Sequence, residues 1–220
     1  MAIYDTEEEQ VEQLKKWWEA NSTSLIAGVI TAILLVTSWN VWQNHQLEQR
    51  SQASQLYQNL LASAAKNDSA AVEKLADQLA VEHGSMAYAH FAALAKAKSK
   101  VDAGDLEAAK AILQQQLQNA GDEQLRHVAR LRLTQLMLAT GQHEEGLKLI
   151  AAVDPAKAEG FAASYDELEG DLYVAMDRLD EARTAYQNAI RTGQATALTQ
   201  FKLDDIAAPA FNPAAANLPQ

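Results

Sequence analysis

Cysteine is absent from this 220-residue chain, which excludes disulfides and thiolate metal sites and is compatible with an oxidising compartment. The nine glycines stand singly, so neither G-x-G-x-x-G nor G-K-[ST] occurs and no phosphate-cradling loop is encoded. No G-x-S-x-G marks a nucleophile; Ser85, between Gly84 and Met86, reads instead as an N-cap opening a helix. His45, His83, His90, His127 and His143 form no H-x-x-x-H or H-E-x-x-H pair. His143-Glu144 begins such a pattern, but at a turn, and Gly84-Ser85 interrupts the helix that would align His83 with His90. The adjacent acids Glu144/Glu145 and Asp204/Asp205 fall on turns or helix ends, where solvation accounts for them. Basic charge is also scarce: 18 Lys and Arg face 29 Asp and Glu, a net −11. That balance argues against nucleic acid or an anionic membrane surface as the main ligand. Alternating β-branched runs are missing as well, so no sheet is expected. The expectation is a non-enzyme with no cofactor and no metal.

What the chain does have is one long apolar run, Leu25 to Trp42, inside a charge-free stretch from Ala20 to Asn44. As a helix, eighteen residues rise roughly 27 Å, close to the ~30 Å of a hydrocarbon core. Nine strongly apolar side chains, among them Leu25, Ile30, Leu34 and Val41, contribute roughly −3 to −5 kcal/mol on an insertion scale. A secretory signal does not fit. The 24 residues before the run are acidic, and the run ends in Trp39-Asn40-Val41-Trp42 with no A-x-A-like cleavage site. Trp17 and Trp18 before the span, with Trp39 and Trp42 at its far end, match two interfacial belts against the lipid bilayer. Lys15 and Lys16 lead the span, whereas Arg50 is the single cation between it and Lys66, so the N-terminus is expected in the cytoplasm.

Everything after the span reads as helix. The expected divisions are an acidic amphipathic leader at 1–22 (Val11, Leu14 and Trp18 on one face) and a transmembrane helix at 23–44. A helical extension with the first helices follows at 45–84, a repeat domain at 85–207, and a Pro-rich tail at 208–220 carrying Pro209, Pro213 and Pro219. Leu56, Leu60 and Leu61 carry the span's helix outward until Asn67-Asp68-Ser69 breaks it and caps the next. Gly104–Leu113 aligns with Gly141–Ile150 and with Asp177–Tyr186, at spacings of 37 and 36 residues. Each copy places a turn residue first, a small residue five later and a large apolar one four beyond, the pattern of a helix hairpin whose helices cross closely. The last copy resembles a tetratricopeptide repeat: Gly170, Tyr173, Ala182, Tyr186 and Ala189 stand at that motif's small and large positions. The second keeps Met137, Gly146, Ile150 and Val153; the first keeps Ala97, Ala109 and Leu113 but has Lys100 where a large residue is usual. A helix from about Thr196 to Ile206 is expected to cap the end. The fold class is therefore all-α, a single N-terminal transmembrane helix followed by a TPR-like α-solenoid.

Stacked helix pairs present a concave surface to extended or helical polypeptide. In this repeat phase the first helix of each pair lines it. The candidates are Phe91, Leu94 and Lys98, then Leu131, Gln135 and Leu138, then Glu167 and Asp171.

The layout resembles the ancillary subunits of the SecYEG translocon, the YfgM family. The likeness rests on Ile3-Tyr4, Glu9-Gln10-Val11-Glu12, Lys15-Lys16-Trp17-Trp18, Asn21 and Gly28-Val29, then on Trp39, Trp42, Ala53-Ser54, Tyr57 and the repeats. It implies an inner-membrane protein with its N-terminus in the cytoplasm and a periplasmic TPR-like domain. Implied partners are SecYEG, a membrane-anchored periplasmic chaperone of the PpiD type, and unfolded exported polypeptides. The family has no catalytic residues to carry over. An alternative is a stress or signalling regulator acting through the cytoplasmic N-terminal segment.

Overall fold

The computed structural model describes residues 7–154, 157–158 and 160–207, and places the chain in two compact units, Met1–Gln52 and Ala53–Gln220. Helix α1 (Glu7–Ala65) is unbroken, so residues 7–22 and the apolar run belong to one helix. The physical reason is local. Gly28 is the single glycine in that stretch, proline is missing, and the polar side chains satisfy themselves. Asn21 Nδ2 donates to the carbonyl of Trp17, and the hydroxyls of Thr31 and Thr37 to those of Ala27 and Ile33, each at 2.8 Å. Glu9–Ala65 is the one helix among the described residues long and apolar enough to cross a membrane. Its most apolar stretch has a mean hydropathy of 1.8 and none of it is buried.

The second unit starts inside the same helix. Residues 53–65 of α1 are followed by α2 (Ser69–His83), α3 (Ala87–Asp102), α4 (Leu106–Asn119), α5 (Glu123–Ala139), α6 (His143–Ala151), α7 (Ala162–Ala175), α8 (Leu179–Arg191) and α9 (Ala197–Ala207). Successive helices from α2 onward pack on one another, and α5 also packs on α7.

Four turns of one geometry organise these hairpins. Asn67, Gly104, Gly141 and Asp177, 37, 37 and 36 residues apart, all adopt positive φ, from 55° to 80°. The following N–H groups, of Asp68, Asp105, Gln142 and Arg178, donate to carbonyls five residues back at 2.8–3.0 Å. This is the Schellman closure, which needs a left-handed residue; glycine enters that region freely, and Asn and Asp tolerate it better than other side chains. Asp68 and Asp105 then accept from the N–H groups of Ala71 and Ala108 and start the next helix.

The fourth member, at Asn67, is a hairpin the sequence pattern missed. Val72 and Ala76 stand where the other copies have a small and then a large residue, so the sizes are exchanged, yet both are buried. The expected division between residues 84 and 85 therefore moves to Ala53. Ala53 and Leu60 of α1 share one core with Val72, Ala76 and Leu79 of α2 and with Ala89 and Ala92 of α3. Ser85 is likewise not a cap: Met86 holds the N-cap position of α3 and no side chain bonds there.

A second core joins Ala97, Ala109, Leu113, Leu133, Leu136 and Met137. Leu60, Leu79, Leu133 and Leu172 are fully buried, each contributing about 1.5–3 kcal/mol. Lys100, the odd member of its repeat position, extends its ammonium to Glu73 at 2.9 Å on α2. Helix α9 begins one residue after the expected start. The Pro-rich tail at 208–220 lies outside the described residues.

Candidate functional site: an open cleft between α3 and α5

Helices α3 and α5 line opposite sides of a cleft of about 590 Å³. The opening lies where the two cores divide: Ala89 and Ala92 of α3 belong to the first, Ala97 to the second. One wall is the α3 stripe Phe91, Leu94, Lys98 and Val101, at helical spacing. Tyr57 of α1 extends that wall, its ring 6.1 Å from that of Phe91 and 5.7 Å from that of Tyr88. The opposite wall is Val128, Arg132 and Gln135 of α5, with Leu113 of α4 and Leu136 at the buried base. Phe91 and Val101 remain about 40% exposed, large apolar groups that the fold leaves in water.

The electrostatics of the cleft depart from those of the chain. No Asp or Glu lines it, although acids outnumber bases in the sequence. Lys98 holds Asp102 at 2.5 Å, so its charge is already answered. Arg132 donates to the neutral Gln135 oxygen at 2.9 Å and has no carboxylate partner among the described residues.

The sequence candidates divide. Phe91, Leu94, Lys98 and Gln135 all line the cleft. Leu131 and Leu138 are half-buried on other faces of α5 and do not. Glu167 and Asp171 do not line this cleft and are partly covered, 21% and 23% exposed. Lys202 of α9 reaches both, at 2.7 and 2.8 Å, and the buried Thr199 hydroxyl donates to Glu167 at 2.7 Å. Asp171 also accepts from the Tyr186 hydroxyl at 2.7 Å. Burial alone would raise Glu167, but the hydrogen bonds from Lys202 and Thr199 outweigh it and hold the carboxyl below its ordinary range. For Lys202, burial is outweighed in the same way by Asp171 and Glu167, which keep the ammonium charged.

Val128, Arg132 and Val101 were missed, yet a signal existed: Val128 and Gln135 stand 37 residues after Phe91 and Lys98, the repeat length. Tyr57 was invisible without the fourth hairpin.

Two other places hold residue types that could carry chemistry or partner contacts. His127 is buried between α5 and α7 and stacks on Phe161. Its Nε2 lies 3.0 Å from the carbonyl of Lys157, which can accept only, so Nδ1 accepts from the Tyr165 hydroxyl at 2.8 Å. With both nitrogens engaged it clasps the α6–α7 connection and offers no free lone pair. Among the described residues no three His, Asp or Glu side chains gather as metal ligands. On α1, Trp17, Trp18, Trp39 and Trp42 are all at least half exposed, and the Trp39 and Trp42 rings lie 5.1 Å apart. Trp39 follows Trp18 by 21 positions, roughly 32 Å along a helix.

Residues 15–208 match the tetratricopeptide repeat-like domain family. The chain is 33% identical over 193 residues to the ancillary SecYEG translocon subunit of Haemophilus influenzae, covering 88% of this chain and 93% of that one. It is 31% identical over 201 residues to the protein of the same description in Escherichia coli, covering 91% and 95%. The chain belongs to the family of ancillary SecYEG translocon subunits. This family member also shares its fold with the solved structure of MamA from Desulfovibrio magneticus RS-1, at a TM-score of 0.53 over 70% of this chain and 83% of that one. At 17% identity that likeness concerns the fold alone. Kinship with the ancillary subunits and one N-terminal apolar helix fit a single-pass inner-membrane protein.

Proposed function

We propose that this chain is a non-catalytic, membrane-anchored interaction protein at the SecYEG translocon, and that its cleft takes segments of exported polypeptides and passes them to a membrane-anchored periplasmic chaperone of the PpiD type. The N-terminus lies in the cytoplasm, the four tryptophans sit at the two bilayer interfaces, and the repeat unit is periplasmic. The observation that carries the reading is the apolar cleft, walled by Phe91, Leu94, Lys98 and Val101 on one side and by Val128, Arg132 and Gln135 on the other. It combines exposed apolar side chains with a few polar groups, as a weak and tolerant peptide contact requires. The membrane helix supports the reading by raising the local concentration of this surface at a channel exit, so high intrinsic affinity is unnecessary.

The test is purification of the intact chain in mild detergent, with a photo-crosslinking residue at Val101. Recovery of SecYEG and the chaperone, with crosslinks to exported polypeptides, is expected; recovery of neither partner rejects the reading. Reporter fusions at each end test orientation, and periplasm-dependent activity confined to an N-terminal reporter would invert it.

A further inference from the structure

We propose that the cleft selects polypeptide segments whose apolar side chains are flanked by carboxylates, with Arg132 as the selecting group. This deepens the reading that the cleft receives exported polypeptide, and rests on it. In a chain of net charge −11, thirteen side chains line the cleft, two of them cationic and none acidic. The two cations stand on opposite walls, Lys98 on α3 and Arg132 on α5. They are not equivalent, because Lys98 already pairs with Asp102 whereas Arg132 meets only the amide oxygen of Gln135. An exposed guanidinium with free N–H groups presents the fork that grips a carboxylate by two bonds, and its aliphatic stem continues the apolar wall. Phe91 and Val101, both part-exposed on the facing helix, supply the apolar half of the contact. The acidic charge elsewhere on the chain repels an acidic segment from other landing places, so the cleft is where such a segment is tolerated. A segment with basic flanks meets the opposite field: attraction to the general surface and repulsion at the cleft.

The experiment uses the full chain in phosphatidylcholine nanodiscs and short fluorescent peptides that share one apolar core but carry Asp/Glu, Ser or Lys flanks. Affinity is read by anisotropy, with empty discs subtracted. Acidic flanks are expected to bind about fivefold more tightly than neutral ones, and basic flanks more weakly. The difference should shrink as salt is added. Arg132→Gln should remove the preference and Arg132→Glu should reverse it, with unchanged thermal unfolding because the side chain is exposed. Phe91→Ser should weaken all three peptides together. Binding that ignores flank charge but is lost in Phe91→Ser overturns the selectivity and leaves the peptide-binding reading intact. Failure of every peptide to bind removes both. Loss of the acidic preference when phosphatidylglycerol replaces part of the disc lipid assigns the cations to lipid and overturns the proposal.

Discussion

The same repeat position has opposite fates at the two ends of the helical unit. Leu94 and Lys98 of α3 face an open cleft, whereas Glu167 and Asp171, at the equivalent positions of α7, are covered by α9. One seam is an open cleft with largely apolar walls; the other is bridged by Lys202, Thr199 and Tyr186. The difference teaches that a repeat position has no fixed role: what the next helix brings to it decides whether it binds or caps. At the closed end α9 brings a cation to two carboxylates. At the open seam α5 brings Val128 and Arg132, and a cleft remains against α3.

Breaking the closed end should have the largest effect. A Cβ added at Gly170 would lie 2.4 Å from the ring of Tyr186, itself buried and bonded to Asp171, so the ring cannot swing aside. Gly170→Val should therefore cost about 3 kcal/mol, read as a drop in the denaturant midpoint. Next comes Lys202→Met, which strips two part-buried carboxylates of their cation. A loss of about 1–2 kcal/mol is expected, between the exposed and buried limits for ion pairs, with faster amide exchange in α9 while α3 is unchanged. At the open seam, Phe91→Ser should cost less than about 1 kcal/mol, because the ring is part-exposed, yet weaken peptide binding severalfold.

Acidity sharpens the comparison further. Glu167 is held below its ordinary 4.5, so its contribution is complete above that pH and is lost as pH falls through the lowered folded value. Lys202 is raised above its ordinary 10.5, so its contribution is complete below that pH and is lost as pH rises through the raised one. Protection of α9 amides, taken relative to intrinsic exchange, should therefore be greatest between these limits and fall on the acid side, whereas that of α3, which has no carboxylate in the cleft lining, should not respond. The smallest effect is expected at Gly146→Ala. The new Cβ meets both methyls of the buried Leu172, at 3.0 and 3.2 Å, and the helix-propensity gain of about 1 kcal/mol offsets that crowding.

Much of the fold was legible because it rests on local rules. The turns at Gly104, Gly141 and Asp177, the small residues five positions on and the break at Asn67-Asp68-Ser69 all announced themselves. The hairpin at Asn67 did not, because burial accepts Val72 then Ala76 as readily as small then large. Half of the cleft was legible for the same reason: the repeat phase placed Phe91, Leu94, Lys98 and Gln135 on one surface. Glu167 and Asp171 lie away from the cleft, and nothing in α7 says that Lys202, some thirty residues later, will pair with them.

The order of residues alone determined that this chain is all-helical, that one helix near its start is apolar enough for a bilayer, and that hairpins recur about every 37 residues. Capping, propensity and hydrophobic spacing act within a few positions, so they can be read without coordinates. Only the tertiary structure decided which seam stays open. That outcome depends on what side chains from distant helices bring to each seam: a part-buried ion pair closes one, and no described side chain bridges the other.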